Sequence, residues 1–170
     1  LIYNEGGSLT ILNSTLKDSS GSAIENESGN VEIEYSKIYQ NNAYGIRNIS
    51  GSVSVLSSDI YNNSLYGVLN ADTVNQVNAI NNFWGDVTGP YHPILNSLGL
   101  GNRVSDGVLF VPWLNIPFDT DQNPPITIPK VNEEEPYGET AWYSTDVNLS
   151  FEATDDFSGV NKTEYSTDGG

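Results

Sequence analysis

With 170 residues and 37% hydrophobic content, the chain is long enough for one domain and part of a second, and too apolar for a disordered one. Its 22 acidic and 6 basic residues leave a formal charge of −16, which repels nucleic acid and anionic lipid and makes cations the natural counterparts. The absence of cysteine and the single histidine argue against zinc or copper, and no apolar run reaches the roughly 20 residues of a membrane helix.

In chain order, the first signal is a repeat. Gly7, Gly29 and Gly51 stand 22 residues apart, and in the same register Leu9 aligns with Val31 and Val53, and Ile11 with Ile33 and Val55. Leu16, Ile38 and Ile60 form a third apolar column and Ile24, Ile46 and Val68 a fourth. Alternation of period two, as in Val31-Glu32-Ile33-Glu34, makes the repeating element a strand. Three short strands and three turns per 22 residues give the coil of a right-handed parallel β-helix. Two polar columns keep the register, Ser14/Ser36/Ser58 and Asn26/Asn48/Asn70, and are expected as stacked side-chain ladders. Coils are expected at 7–28, 29–50 and 51–72, with 1–6 closing an earlier one. The opening inside a repeat and the lack of methionine suggest a mature or partial segment.

After Val77 the pattern decays into Asn82-Phe83-Trp84-Gly85-Asp86 and Thr88-Gly89-Pro90, followed by Val104-Ser105 and Val111-Pro112-Trp113-Leu114. Phe83, Trp84 and Trp113 are expected as lids over the open end of the stack. These motifs resemble the closing segment of pectin-lyase-like β-helix proteins of prokaryotic cell surfaces, over residues 1–118. The resemblance implies architecture more than chemistry, because that superfamily holds polysaccharide lyases and hydrolases, a copper-maturation protein and surface proteins without known activity.

Asp119 to Pro125 reads as an acidic linker stiffened by Pro124-Pro125. Residues 126–170, with Trp142-Tyr143, Val147-Asn148-Leu149-Ser150-Phe151 and a turn at Asp168-Gly169, resemble the opening of an Ig-like β-sandwich module of surface proteins. A complete sandwich needs about 100 residues, so the module is expected to be partial.

Candidate sites were weighed against plainer roles. Glu32 and Glu34 face outward, but their stacked neighbours Thr10, Leu12, Ser54 and Leu56 supply no second carboxylate, so no catalytic cluster and no enzyme are expected. Glu25 with Arg47, and Lys37 with Asp59, sit one coil apart, about 4.8 Å, as surface ion pairs. His92 is expected to be a loop histidine without partners. Calcium is the one cofactor considered, held at the hinge by Asp119, Asp121, Asn123, Asp155 and Asp156; the plainer alternative is a solvated acidic linker. Tyr39 and Tyr61 are either an exposed platform for a sugar or protein, or a ladder that stiffens the solenoid. Of six Asn-x-Ser/Thr sequons, Asn26 and Asn48 share the inward parity of Ile24 and Ile46, leaving Asn13, Asn62, Asn148 and Asn161 as glycan acceptors.

The function expected is structural, a rigid self-associating solenoid of an extracellular surface layer, sheath or filament. The alternatives are a carbohydrate-binding or carbohydrate-processing β-helix, which would need a carboxylate and cation cluster, and an adhesin using Tyr39 and Tyr61. Partners are expected to be further copies and glycans, with no nucleic acid and no membrane span in this segment.

Overall fold

The structure is a computed structural model that describes residues 1–120, 126–131 and 149–154. Among the described residues it is all β, with no helix, in two compact units, Leu1–Thr120 and Asp121–Gly170.

Unit 1 is a parallel β-solenoid of about four turns with three sheets. One sheet stacks β1 (Ile2–Asn4), β4 (Ile24–Asn26), β7 (Tyr44–Asn48) and β10 (Tyr66–Asn70). A second stacks β2 (Ser8–Leu12), β5 (Asn30–Glu34), β8 (Ser52–Leu56), β11 (Val77–Asn78) and β12 (Val108–Leu109). The third holds β3 (Thr15–Lys17), β6 (Lys37–Tyr39) and β9 (Asp59–Tyr61). Pairing follows the 22-residue register throughout the coils, as in Leu9↔Val31↔Val53 and Leu16↔Ile38↔Ile60. Each apolar column therefore stacks on itself inside the solenoid. Ile24, Ile33, Ile38, Ile46, Val55, Ile60 and Val68 are fully buried, and each such side chain stabilises the fold by about 1.5–3 kcal/mol relative to exposure.

Corners are made by backbone in the left-handed region, also in columns. Asn13, Tyr35 and Ser57 turn the chain from the second sheet into the third, and Asp18, Gln40 and Asn62 turn it out again, all with φ between 47° and 56°. The remaining corner uses Gly29 and Gly51 at φ 94° and 91°. Here glycine is required twice over, since a Cβ on Gly51 would lie 2.3 Å from the carbonyl oxygen of Gly29.

The expected polar ladders are present and face inward. Asn4 Nδ2 donates to Asn26 Oδ1 (2.8 Å), Asn26 to Asn48 (2.9 Å) and Asn48 to Asn70 (3.0 Å). In the serine column, Ser14 N–H donates to Ser36 Oγ and Ser36 N–H to Ser58 Oγ, both at 3.1 Å. A third ladder was not foreseen: Ser19 N–H donates to Asn41 Oδ1 and Asn41 Nδ2 to Asn63 Oδ1.

Beyond Asn70 a fourth turn persists under an irregular sequence. Asn82 takes the next place in the serine column, accepting from Ser58 N–H at 2.9 Å, and Asn102 continues the Asn41/Asn63 ladder. Val104 bridges to Val68, and Val108 pairs with Val77. Trp84 and Phe110 are buried and close this end, with Trp113 packed partly against them. Phe83 is only half-buried and forms the bridge to Asp59 rather than a lid.

Of unit 2, the described residues form an antiparallel pair, β13 (Ile126–Val131) and β14 (Leu149–Thr154), in register from Ile126↔Thr154 to Val131↔Leu149. Lys130 and Glu152 form an ion pair across it.

Candidate functional site

The third sheet carries the densest cluster of functional groups. Tyr39 and Tyr61 stand on consecutive coils with ring centroids 4.8 Å apart and planes within 4° of parallel. Lys17 Nζ lies 5.8 Å from the Tyr39 centroid on the column above, and Gly85 closes against Tyr61 on the other side, where a Cβ would meet that of Tyr61 at 2.7 Å. The rings thus spend their faces on one another along the solenoid axis. Burial, and then the neighbouring Tyr39 phenol, push the Tyr61 hydroxyl above its ordinary pKa.

Beside them the expected Lys37–Asp59 surface pair is corrected. The two residues are register partners, but Lys37 Nζ binds Asp119 at 2.5 Å, and Asp59, only 2% exposed, accepts the backbone N–H of Phe118 at 2.9 Å. The reason is the return of residues 117–119 across this sheet, with Phe118 also placed 6.5 Å from the exposed Tyr35 ring. Asp119 raises the pKa of Lys37 by hydrogen bonding to the ammonium. Burial raises the pKa of Asp59, opposed by the Phe118 N–H. A cation held by Asp119 would share its carboxylate with Lys37. The other residues of the expected calcium set, Asp121, Asn123, Asp155 and Asp156, lie outside the described residues. Among the described residues, no three His, Cys, Asp or Glu side chains come together as a metal donor set.

Glu25 and Arg47 pair at 3.6 Å as expected. Glu32 and Glu34 stack against Thr10, Leu12, Ser54 and Leu56. Asn13 and Asn62 are exposed at left-handed corners, while Asn26 and Asn48 are fully buried in their ladder; Asn148 and Asn161 lie outside the described residues.

His92 is not a loop histidine without partners. It is 2% exposed, stacked on Phe110 at 5.9 Å, and its Nδ1 accepts the N–H groups of Ile94 and Leu95 at 3.2 and 3.1 Å. Its Nε2 lies 3.2 Å from Asp106 Oδ1. Two accepted N–H groups on Nδ1 leave the ring proton on Nε2, facing the carboxylate. The histidine shapes a tight turn that holds Ile94 and Leu95 out to solvent.

One further cluster had no periodic signal. Arg103 lies 4.5 Å from the centroid of Tyr66 and 5.8 Å from that of Tyr91, beside a groove of about 300 Å³ bordered by Asn62, Ser64, Leu65 and Leu100. Among the described residues no helix is long and apolar enough to cross a membrane. Set against family models, curated proteins and solved structures, the chain matches none.

Proposed function

We propose that this chain is a structural component of an extracellular surface layer, sheath or filament, in which a rigid solenoid spaces and presents other modules and self-associates through its sides. The observation that carries this reading is the unbroken ladder Asn4–Asn26–Asn48–Asn70, which ties every coil to the next and spends the interior amides on structure rather than on a ligand. The resemblance of residues 1–118 to pectin-lyase-like surface proteins, and of 126–170 to Ig-like surface modules, supports the same reading. Calcium at the hinge and glycans on Asn13 and Asn62, with Asn148 and Asn161 in the second unit, belong to it as well. Electron microscopy of native material, before and after calcium chelation, tests it: an ordered filament or lattice is expected, and dispersed monomers under both conditions would overturn it.

A second reading is carbohydrate binding, favoured by Arg103 between Tyr66 and Tyr91 beside the polar groove. A glycan that raises the melting temperature of the parent chain but not of Arg103→Ala would support it over the structural one.

A further inference from the structure

Residues 92–96 make a turn closed by two backbone hydrogen bonds, from His92 N–H to the Asn96 carbonyl and from Asn96 N–H to the His92 carbonyl, both at 3.1 Å. Asn96 Nδ2 anchors the turn to the rest of the cap by donating to the carbonyls of Thr88 and Pro90. Inside it Pro93 has no N–H, and among the described residues the N–H groups of Ile94 and Leu95 have no acceptor other than His92 Nδ1. The ring that accepts them is 2% exposed, yet the side chains of Ile94 and Leu95 are 82% and 70% exposed. A buried imidazole thus fixes where two aliphatic side chains stand in solvent.

Two N–H groups directed at one ring nitrogen need its lone pair, so the closed turn requires a neutral ring with its proton on Nε2. A proton added at Nδ1 would set donor against donor at 3.2 and 3.1 Å. The other side of the ring suits the cation. Nε2 lies 3.2 Å from Asp106 Oδ1, and this carboxylate accepts from Nε2 in either form of the ring. Phe110, stacked on the imidazole, carries no charge, and Arg103 in the neighbouring segment lies over the rings of Tyr66 and Tyr91. Asp86, tied into the cap through Thr88, is held below the ordinary carboxylate range by the Thr88 hydroxyl, so it stays charged while imidazole titrates.

We propose that His92 is a proton-operated latch on this turn. With the ring neutral, the turn is closed and Ile94 and Leu95 are held out in one arrangement. A proton on Nδ1 opens it, because the open form binds that proton freely whereas the closed form must give up both hydrogen bonds to take it. Asp106 supplies the countercharge. The latch is confined to the cap and stands whether or not the solenoid self-associates.

The test is nitrogen NMR of the imidazole together with amide exchange of Ile94 and Leu95, corrected for its intrinsic pH dependence, on the full chain from about pH 8 to about pH 5. Nδ1 should be the unprotonated nitrogen at the high end, and as it takes up its proton the protection of both amides should fall roughly tenfold or more, while Ile38 and Val55 in the coils keep theirs. His92→Asn offers a side-chain oxygen in place of Nδ1 and does not titrate, so its protection should stay level across the range. Asp106→Asn removes the countercharge without touching the turn, and should move the ring titration and the loss of protection together to lower pH; it decides the matter if His92→Asn leaves the turn open at every pH. An unprotonated Nε2 at the high end, a ring that stays neutral throughout, protection that ignores the ring titration, or the same fall in His92→Asn would each overturn the proposal.

Discussion

Lys37 and Asp119 are separated by most of the solenoid sequence yet meet at 2.5 Å, so that the segment leaving the last coil is stapled back onto the third sheet. Both side chains are about a third exposed, and solvent screening limits what the pair contributes. Lys37→Met should cost below about 1 kcal/mol in urea denaturation. Its clearer effect should be faster hydrogen exchange at Phe118. Unaltered exchange there would show that Asp59 alone holds the segment.

Asp59 gives that staple a pH dependence. Its carboxyl pKa is raised by burial in the folded state, so folding takes up a proton; its contribution is fully present below the unfolded value and is lost as pH rises through the folded one. Asp72 and Asp86 work in the opposite sense. Their carboxylates are held below the ordinary range, first by the side chains of Asn75 and Thr88 respectively, so their contribution is present above the unfolded value and is lost as pH falls through the folded one. Asp59→Asn keeps an acceptor for Phe118 N–H. The variant should therefore stay folded and flatten the loss of stability just above the ordinary carboxyl range, measured by urea midpoints across pH.

In the middle of the asparagine ladder, Asn48 both accepts from Asn26 and donates to Asn70. Asn48→Ala removes a buried acceptor and a buried donor at once and should cost about 2–4 kcal/mol. Asn13→Ala, at an exposed corner, should cost about 1 kcal/mol or less. Chemical denaturation of both variants checks the contrast, and equal costs would contradict the ladder's structural weight.

The glycine corners make a similar comparison within a single column. Gly7 and Gly51 have nearly the same φ, 93° and 91°, but a Cβ on Gly7 meets nothing within 4 Å while one on Gly51 strikes the Gly29 carbonyl. Gly7→Ala should cost about 1 kcal/mol, the strain of the conformation alone, and Gly51→Ala about 3 kcal/mol or more. Thermal melts of the two variants separate backbone strain from the collision between coils.

Much of this architecture was legible in the chain. The period of two marked the strands, and the spacing of 22 identified the neighbour above and below each residue, so Tyr39 could be placed on Tyr61 and Glu25 on Arg47 without coordinates. The Asn41/Asn63 ladder obeyed the same rule but was hidden because its first member is Ser19. His92 was misread for a different reason: its partners, Phe110, Asp106 and two backbone N–H groups, follow no repeat.

A parallel solenoid makes contact almost a local property, since each residue's neighbour lies one fixed repeat away, and for that reason the sequence alone determined the three sheets, their register, and two of the three polar ladders. It could not determine where the chain departs from the repeat. Asn82 follows Ser58 by 24 residues, Asn102 follows Asn63 by 39, and Phe118 reaches Asp59 across 59. Those separations depend on how an irregular segment folds back to fill a hydrogen bond or cover an apolar column. Only the tertiary structure decided that Lys37 serves Asp119, that His92 is buried, and that Phe110 joins Trp84 in closing the last coil.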